Sequence, residues 1–257
     1  MINLSELKES RVEVPPRIVL YASGGFGKST FASLAPKPIF MDIENGTHNI
    51  KTTRFKTKSY DDAVDLISSL LKQEHDFKTL VIDSIDWLER IIIDEQCKIK
   101  GVEAIEDIGY NNGYEAIIRK FRRILMGLDK LQAKGMYIIV LAHESLVKVE
   151  PPTGQPYTLK APKLYGKTLK SDNNLDILIE WSDILLYGMR EDITKSVDVG
   201  FGKTKEKVVA KNDRVLHTMD GVGFKAKSRY ALPAKLDFPK DKAWEVFYNA
   251  LIESIGE

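Results

Sequence analysis

Short apolar runs recur along the chain, and each ends in a polar or small residue. They are Ile18 to Tyr21, Pro38 to Asp42, Thr79 to Asp83, Met136 to Ala142 and Asp183 to Tyr187. Runs of this length without polar alternation read as strands buried on both faces. A different period fills the intervals. Ala63, Leu66, Ile67 and Leu70 fall on one face of a predicted helix over Asp62 to Leu71. Tyr114, Ile117, Phe121, Ile124, Leu125, Leu128 and Leu131 form the longest apolar stripe and predict a helix over Tyr114 to Leu131. Asp241 to Ile252 predicts a closing helix, with Ala243, Trp244, Phe247 and Leu251 buried. Short strands alternating with helices predict an α/β fold, a mainly parallel central sheet covered by helices on both faces. In such sheets a ligand sits beyond the C-terminal ends of the strands.

Two segments break this rhythm. Residues 144–170 hold Pro151, Pro152, Pro156 and Pro162 and are expected to form a long irregular basic loop. Residues 199–230 are expected to be an extended or hairpin-like basic segment. Residues 1–16 read as a lead-in ended by Pro15-Pro16, and 17–257 as one domain. The net charge of +1 names no partner. The two irregular segments carry local positive charge that suits a polyanion, while 86–107 is acidic. The lone Cys97 allows no internal disulfide and no cysteine-based metal site. No apolar run is long enough to cross a membrane and no leader pattern opens the chain, so a cytoplasmic protein is expected.

The chemistry starts at Ala22-Ser23-Gly24-Gly25-Phe26-Gly27-Lys28-Ser29-Thr30, which lies between a predicted strand and a helix. Apart from Ala22 in place of the first glycine, this is the phosphate-binding loop of nucleoside-triphosphate binders. Flexible glycines let successive backbone N–H groups turn inward around phosphate oxygens, helped by the positive end of the following helix. Residues 23–30 are therefore the candidate ATP site. Lys28 is expected to reach the β- and γ-phosphates, and Ser29 to complete a magnesium shell.

A magnesium ion there needs a carboxylate, and Asp83 at the end of its apolar run is the candidate. An ordinary helix-capping role for Asp83 is the alternative, although Ser84 can serve as that cap. Hydrolysis needs an acceptor for a proton of the attacking water. Glu44 is the candidate, with Asp42 as a nearer rival. His143 follows the run 136–142, where a polar side chain can sense the γ-phosphate. A histidine satisfied at a strand end is the plainer reading.

The loop, Phe40-Met41-Asp42-Ile43-Glu44, Leu80-Val81-Ile82-Asp83-Ser84 and Val140-Leu141-Ala142-His143-Glu144 together resemble RecA-like P-loop ATPases. The likeness covers roughly residues 16–235. Within that group the chain looks most like phage-encoded nucleotide-binding proteins of the AAA family, which are linked to single-strand annealing and recombination. The resemblance implies a Mg2+-dependent ATPase, with Lys28 and Ser29 on phosphate and metal, Asp83 as the second-motif acid and Glu44 polarising water. It places His143 where relatives commonly carry a glutamine that senses the γ-phosphate. It implies that ATP binds between subunits of a homo-oligomer, ring or filament, and that Lys227 and Arg229 reach a neighbour's nucleotide. It also implies a single-stranded DNA partner, with a single-strand-binding protein as a further candidate, and makes 144–170 a DNA-binding loop. Tyr157, Tyr165, Phe201 and Phe224 are candidates for stacking on bases, with anchoring of the loops as the equal alternative. Two other readings stay open. One is a small-molecule or nucleotide kinase, for which Arg119, Arg122 and Arg123 are the nearest arginine cluster. The other is an interaction protein switched by ATP without hydrolysis.

Overall fold

A computed structural model describes residues 14–109, 112–151, 153–165, 173–198 and 204–256. Over 192–198 and 204–212 it describes the backbone alone. The expected strands form as β1 (Arg17–Ala22), β2 (Pro38–Asp42), β4 (Thr79–Asp83), β5 (Tyr137–Val149) and β7 (Ile184–Asp198). Strand β3 (Thr53–Lys56) extends the edge beside β2. It is only four residues long and largely exposed, so it left no apolar run to read.

The strand order is β10-β8-β7-β1-β5-β4-β2-β3, with β8 (Thr204–His217) and β10 (Lys235–Asp237) added antiparallel. The strands from β7 through β1, β5, β4 and β2 to β3 run parallel. This is the α/β architecture of a P-loop NTPase with a RecA-like core.

Because both sheet faces are covered, alternate residues of each strand enter different cores. Tyr21, Met41, Ile82 and Val140 face α2 (Tyr60–Lys72), α3 (Ile85–Lys100) and α4 (Asn112–Ala133). Leu20, Phe40, Val81 and Leu141 face α1 (Lys28–Ser33) and α6 (Ala243–Gly256). There Phe31 meets Trp244 and Phe247 at centroid distances of 5.5 and 5.7 Å. Burial of side chains this large contributes about 2–3 kcal/mol each. Helix α2 starts where Ser59 accepts from the Asp62 N–H, and Asp62 accepts in return from the Ser59 N–H. This reciprocal cap fixes its first turn.

The expectation of an irregular loop over 144–170 is corrected for its described part, 152 and 166–170 lying outside the described residues. Strand β5 continues without a break to Val149 and pairs antiparallel with β6 (Tyr157–Pro162). Val147 and Val149 alternate with the exposed Leu146, Lys148 and Glu150 and join Leu159 and Ala161 in a small core with Leu175 of α5 (Asn174–Trp181). Pro151 and Pro156 fall in the turn and Pro162 ends the strand, where no ladder N–H is lost. Of the extended or hairpin-like segment expected over 199–230, Thr204–His217 forms β8, which pairs antiparallel with β7 ahead of the segment, and a short β9 (Lys227–Ser228) returns to the start of β7; residues 199–203 lie outside the described residues. No described helix is long and apolar enough to cross a membrane.

Candidate active site

Strand β1 lies between β5 and β7, and its last residue, Ala22, is level with His143 and Gly188. The chain then turns through the glycines. Gly25 and Gly27 take φ of 70° and 114°, a region that glycine enters without steric cost. Ala22 is a buried strand residue, and its φ is not positive. The missing first glycine therefore demands no backbone angle that alanine resists. Phe26 turns inward instead of into the cleft and meets Phe238 at 4.6 Å between centroids. It lies so close over Gly188 that a side-chain carbon there would sit 2.5 Å from its ring. The loop is thus anchored by a plug in the core, and Phe26 offers a ligand only its backbone.

Lys28 is buried, and its ammonium donates to the Ala22 and Ser23 carbonyls at 3.1 and 3.2 Å. Burial lowers its pKa, opposed by the negative charges of Asp83 and Glu44. Ser29 Oγ donates to Asp83 Oδ2 at 2.6 Å. Burial, aided by the charges of Glu44 and Asp42, pushes the Asp83 carboxyl up to about 6 against the pull of the Ser29 bond. Ser29 and Asp83 are adjacent hard oxygen donors and fit a magnesium ion.

Asp42 lies level with Asp83 on the neighbouring strand. Thr47 Oγ1 donates to its Oδ2 at 2.6 Å, which holds Asp42 in the buried base of the β2 turn. The Ile43 and Glu44 N–H groups donate to the Asp83 carbonyl at 2.9 and 3.3 Å. That bend carries Glu44 into the cleft, with Oε1 3.7 Å from His143 Nε2. Of the two rivals, Glu44 faces the cleft and Asp42 supports the turn.

His143 is gripped by Asp86 on α3. One carboxylate oxygen accepts from the His143 N–H at 3.1 Å and the other meets Nδ1 at 3.0 Å. A carboxylate accepts, so the proton sits on Nδ1 and Nε2 is left facing Glu44. The bond to Asp86 raises the His143 pKa, and burial opposes the rise. Burial pulls Asp86 upward, but its bonds to His143 outweigh that and hold it below the ordinary carboxylate range. Nothing in the local sequence marks Asp86 as the partner of His143. The pair forms only because β5 and the start of α3 are neighbours.

The cleft bounded by these residues holds about 390 Å3, and its lining includes Gly24, Gly27, Lys28, Ser29, Thr30, Glu44, Asp83 and His143. Arg214 and Lys240 also line it, and neither carries a motif. Sequence reasoning missed both. Arg214 was visible only as one basic residue among many in 199–230.

Lys227 and Arg229 do not reach this cleft. Each donates to the Glu180 carbonyl at 3.3 Å, and Arg229 also lies 3.3 Å from Asp183. Asp183 accepts from the Arg17 backbone N–H at 2.9 Å, at the start of β1. The two cations therefore sit at the edge where the parallel strands begin, and β1 separates that edge from the loop by about 17 Å.

The hairpin basics are partly neutralised within the chain. Lys148 pairs with Glu150 at 2.6 Å, Lys160 with Glu144 at 3.1 Å, and Lys225 with Asp220 at 3.6 Å. Among the stacking candidates, Tyr157 is half exposed. Tyr165 is bonded to Tyr114 and Glu106, and Phe224 lies against Tyr187 and His217. Those contacts match the alternative reading of these two rings as anchors for their loops. Phe201 falls outside the described residues. Arg119, Arg122 and Arg123 ride on α4, and none lines the cleft.

A family profile described as "AAA domain" matches residues 14–230. No curated protein matches the chain. The profile spans the loop, both carboxylate strands, His143 and the hairpin, and ends at Tyr230.

Proposed function

The chain belongs to the AAA-domain family of ATP-binding proteins, and on that premise we propose that it is a Mg2+-dependent ATPase acting with single-stranded DNA in recombination or annealing. The observation that carries the ATPase reading is the Ser29–Asp83 contact at 2.6 Å beside the buried Lys28. Ser29 and Asp83 would hold magnesium, which supplies charge neutralisation on the phosphates when bound. Lys28 balances the β- and γ-oxygens. Water attacks the γ-phosphorus, a water proton passes to Glu44, and the bond to the bridging oxygen breaks to leave ADP and phosphate. Asp86 holds the His143 ring so that Nε2 stays level with Glu44.

Support for the DNA reading comes from β5. The strand that ends its buried course at His143 continues directly into the hairpin bearing Lys148, Tyr157 and Lys160. A displacement at the nucleotide therefore has a continuous backbone path to an exposed basic element. The distance of Lys227 and Arg229 from their own cleft supports a role toward a neighbouring copy's nucleotide, in a ring or a filament.

The test is ATP hydrolysis with and without magnesium and single-stranded DNA, with Lys28→Ala as the blank. Lys28-dependent hydrolysis stimulated by DNA is the expected result. Hydrolysis indifferent to DNA would remove the recombination reading and leave the ATPase. Absence of hydrolysis under every condition would remove the ATPase as well.

A further inference from the structure

The motifs leave unexplained a pair of arginines beside the loop. Arg190 on β7 and Arg214 on β8 stand directly opposite each other in the antiparallel ladder. Like charges so placed destabilise a sheet unless something negative lies between or beside them. Arg190 has a local occupation, donating to the Gly25 carbonyl at 3.2 Å. Arg214 reaches further. Its Nη1 lies 3.1 Å from the point where a side-chain carbon on residue 27 would sit. The guanidinium fits against the loop because that residue is glycine. Lys240, in the segment before α6, enters the same cleft.

These cations divide the cleft by charge. Glu44 and Asp83 come from the β2 and β4 side, while Arg214 comes from the β8 side, with the loop between them. Beyond Arg214 a second groove opens, with a volume of about 1030 Å3. It shares Arg214 and Lys240 with the cleft and is walled further by Asp213, Asp237 and Pro239. Arg214 therefore stands where a phosphate-sized cleft meets a groove roomy enough for a sugar and base.

We propose that Arg214 is a phosphate-binding residue of the nucleotide site, supplied by the same chain that carries the loop, and that it grips the phosphates nearest the nucleoside. The proposal rests on the nucleotide-site reading above. A guanidinium forks around two phosphate oxygens at once and keeps its charge at any working pH. It also answers a charge problem. A triphosphate brings several negative charges into a site that already holds Glu44 and Asp83, and Arg214 adds a fixed positive charge to those of Lys28 and Lys240. With Arg214 in place, the grip on the nucleotide does not wait for Arg229 of a neighbour.

The test is equilibrium binding to the full chain, with ATP, inorganic tripolyphosphate and adenosine each competing against a fluorescent ATP analogue. Arg214→Ala should weaken ATP and tripolyphosphate alike, by roughly ten- to a hundredfold for a lost charged hydrogen-bonding group. Adenosine should bind as in the unaltered chain. Arg214→Lys should restore part of the loss, and it serves as the folded variant if Arg214→Ala is unstable. If Arg214→Ala binds ATP normally while Lys28→Ala does not, the proposal is wrong and the nucleotide site stands. Equal losses for adenosine and ATP would also overturn it, since the residue then acts through structure. If Lys28→Ala binds ATP as well as the unaltered chain, the site reading fails and takes the proposal with it.

Discussion

Replacing Asp83 with asparagine should make the ligand-free protein more stable at neutral pH while destroying its activity. Asp83 is 4% exposed, and burial lifts its carboxyl from an ordinary 3.8 to about 6. The folded state therefore holds this proton more tightly than the unfolded chain does. Asp83 costs nothing below pH 3.8, where both states are protonated. Between that value and about 6 the unfolded chain releases its proton first, so stability falls as pH rises. Above about 6 the full cost is present. A shift of about two units corresponds to about 3 kcal/mol. The amide introduced by Asp83→Asn keeps an oxygen for the Ser29 hydroxyl, so the 2.6 Å bond has an acceptor in the variant too. The stability gap between Asp83→Asn and the unaltered chain should therefore open by about 2 kcal/mol between about pH 4 and about pH 7. Urea unfolding of both proteins across that range, free of nucleotide and metal, measures it. Glu89, buried and raised to about 7, titrates nearby but is common to both chains and cancels in the difference. A gap that stays flat with pH, or a variant less stable at neutral pH, refutes the reasoning.

Further outcomes follow from the site. Gly188→Ala drives a methyl into the Phe26 ring and should cost about 1–3 kcal/mol by thermal unfolding, with weaker ATP binding because the loop loses its seat. Asp86→Asn removes the main cause of the raised His143 pKa. The His143 titration followed by NMR should move down, and its neutral form should persist to lower pH. Glu44→Gln should reduce the hydrolysis rate by roughly a hundredfold or more with little change in ATP affinity. Asp42→Asn should act mainly on stability, because Thr47 binds Asp42 behind the cleft. A larger rate loss for Asp42→Asn would exchange their roles.

The buried strands were legible because each is apolar on both faces, and α2, α4 and α6 because their stripes follow the helical period. The loop was legible because its chemistry is local: glycines, Lys28 and Ser29 lie within a few residues. What stayed hidden depends on pairing between distant segments. β6 became visible only once β5 offered it a ladder, and its prolines had argued for a loop. Asp86 reaches His143 across 57 positions, and Arg214 reaches the loop through the register of β7 with β8. No period or motif encodes those distances.

The central placement of β1 bears on how the protein is made. The strand that launches the phosphate loop is held on one side by β5 and on the other by β7, both of which come much later in the chain. On the ribosome, the segment around residue 22 must wait for residue 188 before its second neighbour exists. At usual rates of synthesis that interval is roughly ten to thirty seconds. During it an apolar strand and a glycine loop are without their native cover. A nascent chain halted before β7 should be unable to retain ATP, and the same chain should acquire that ability abruptly once β7 has emerged.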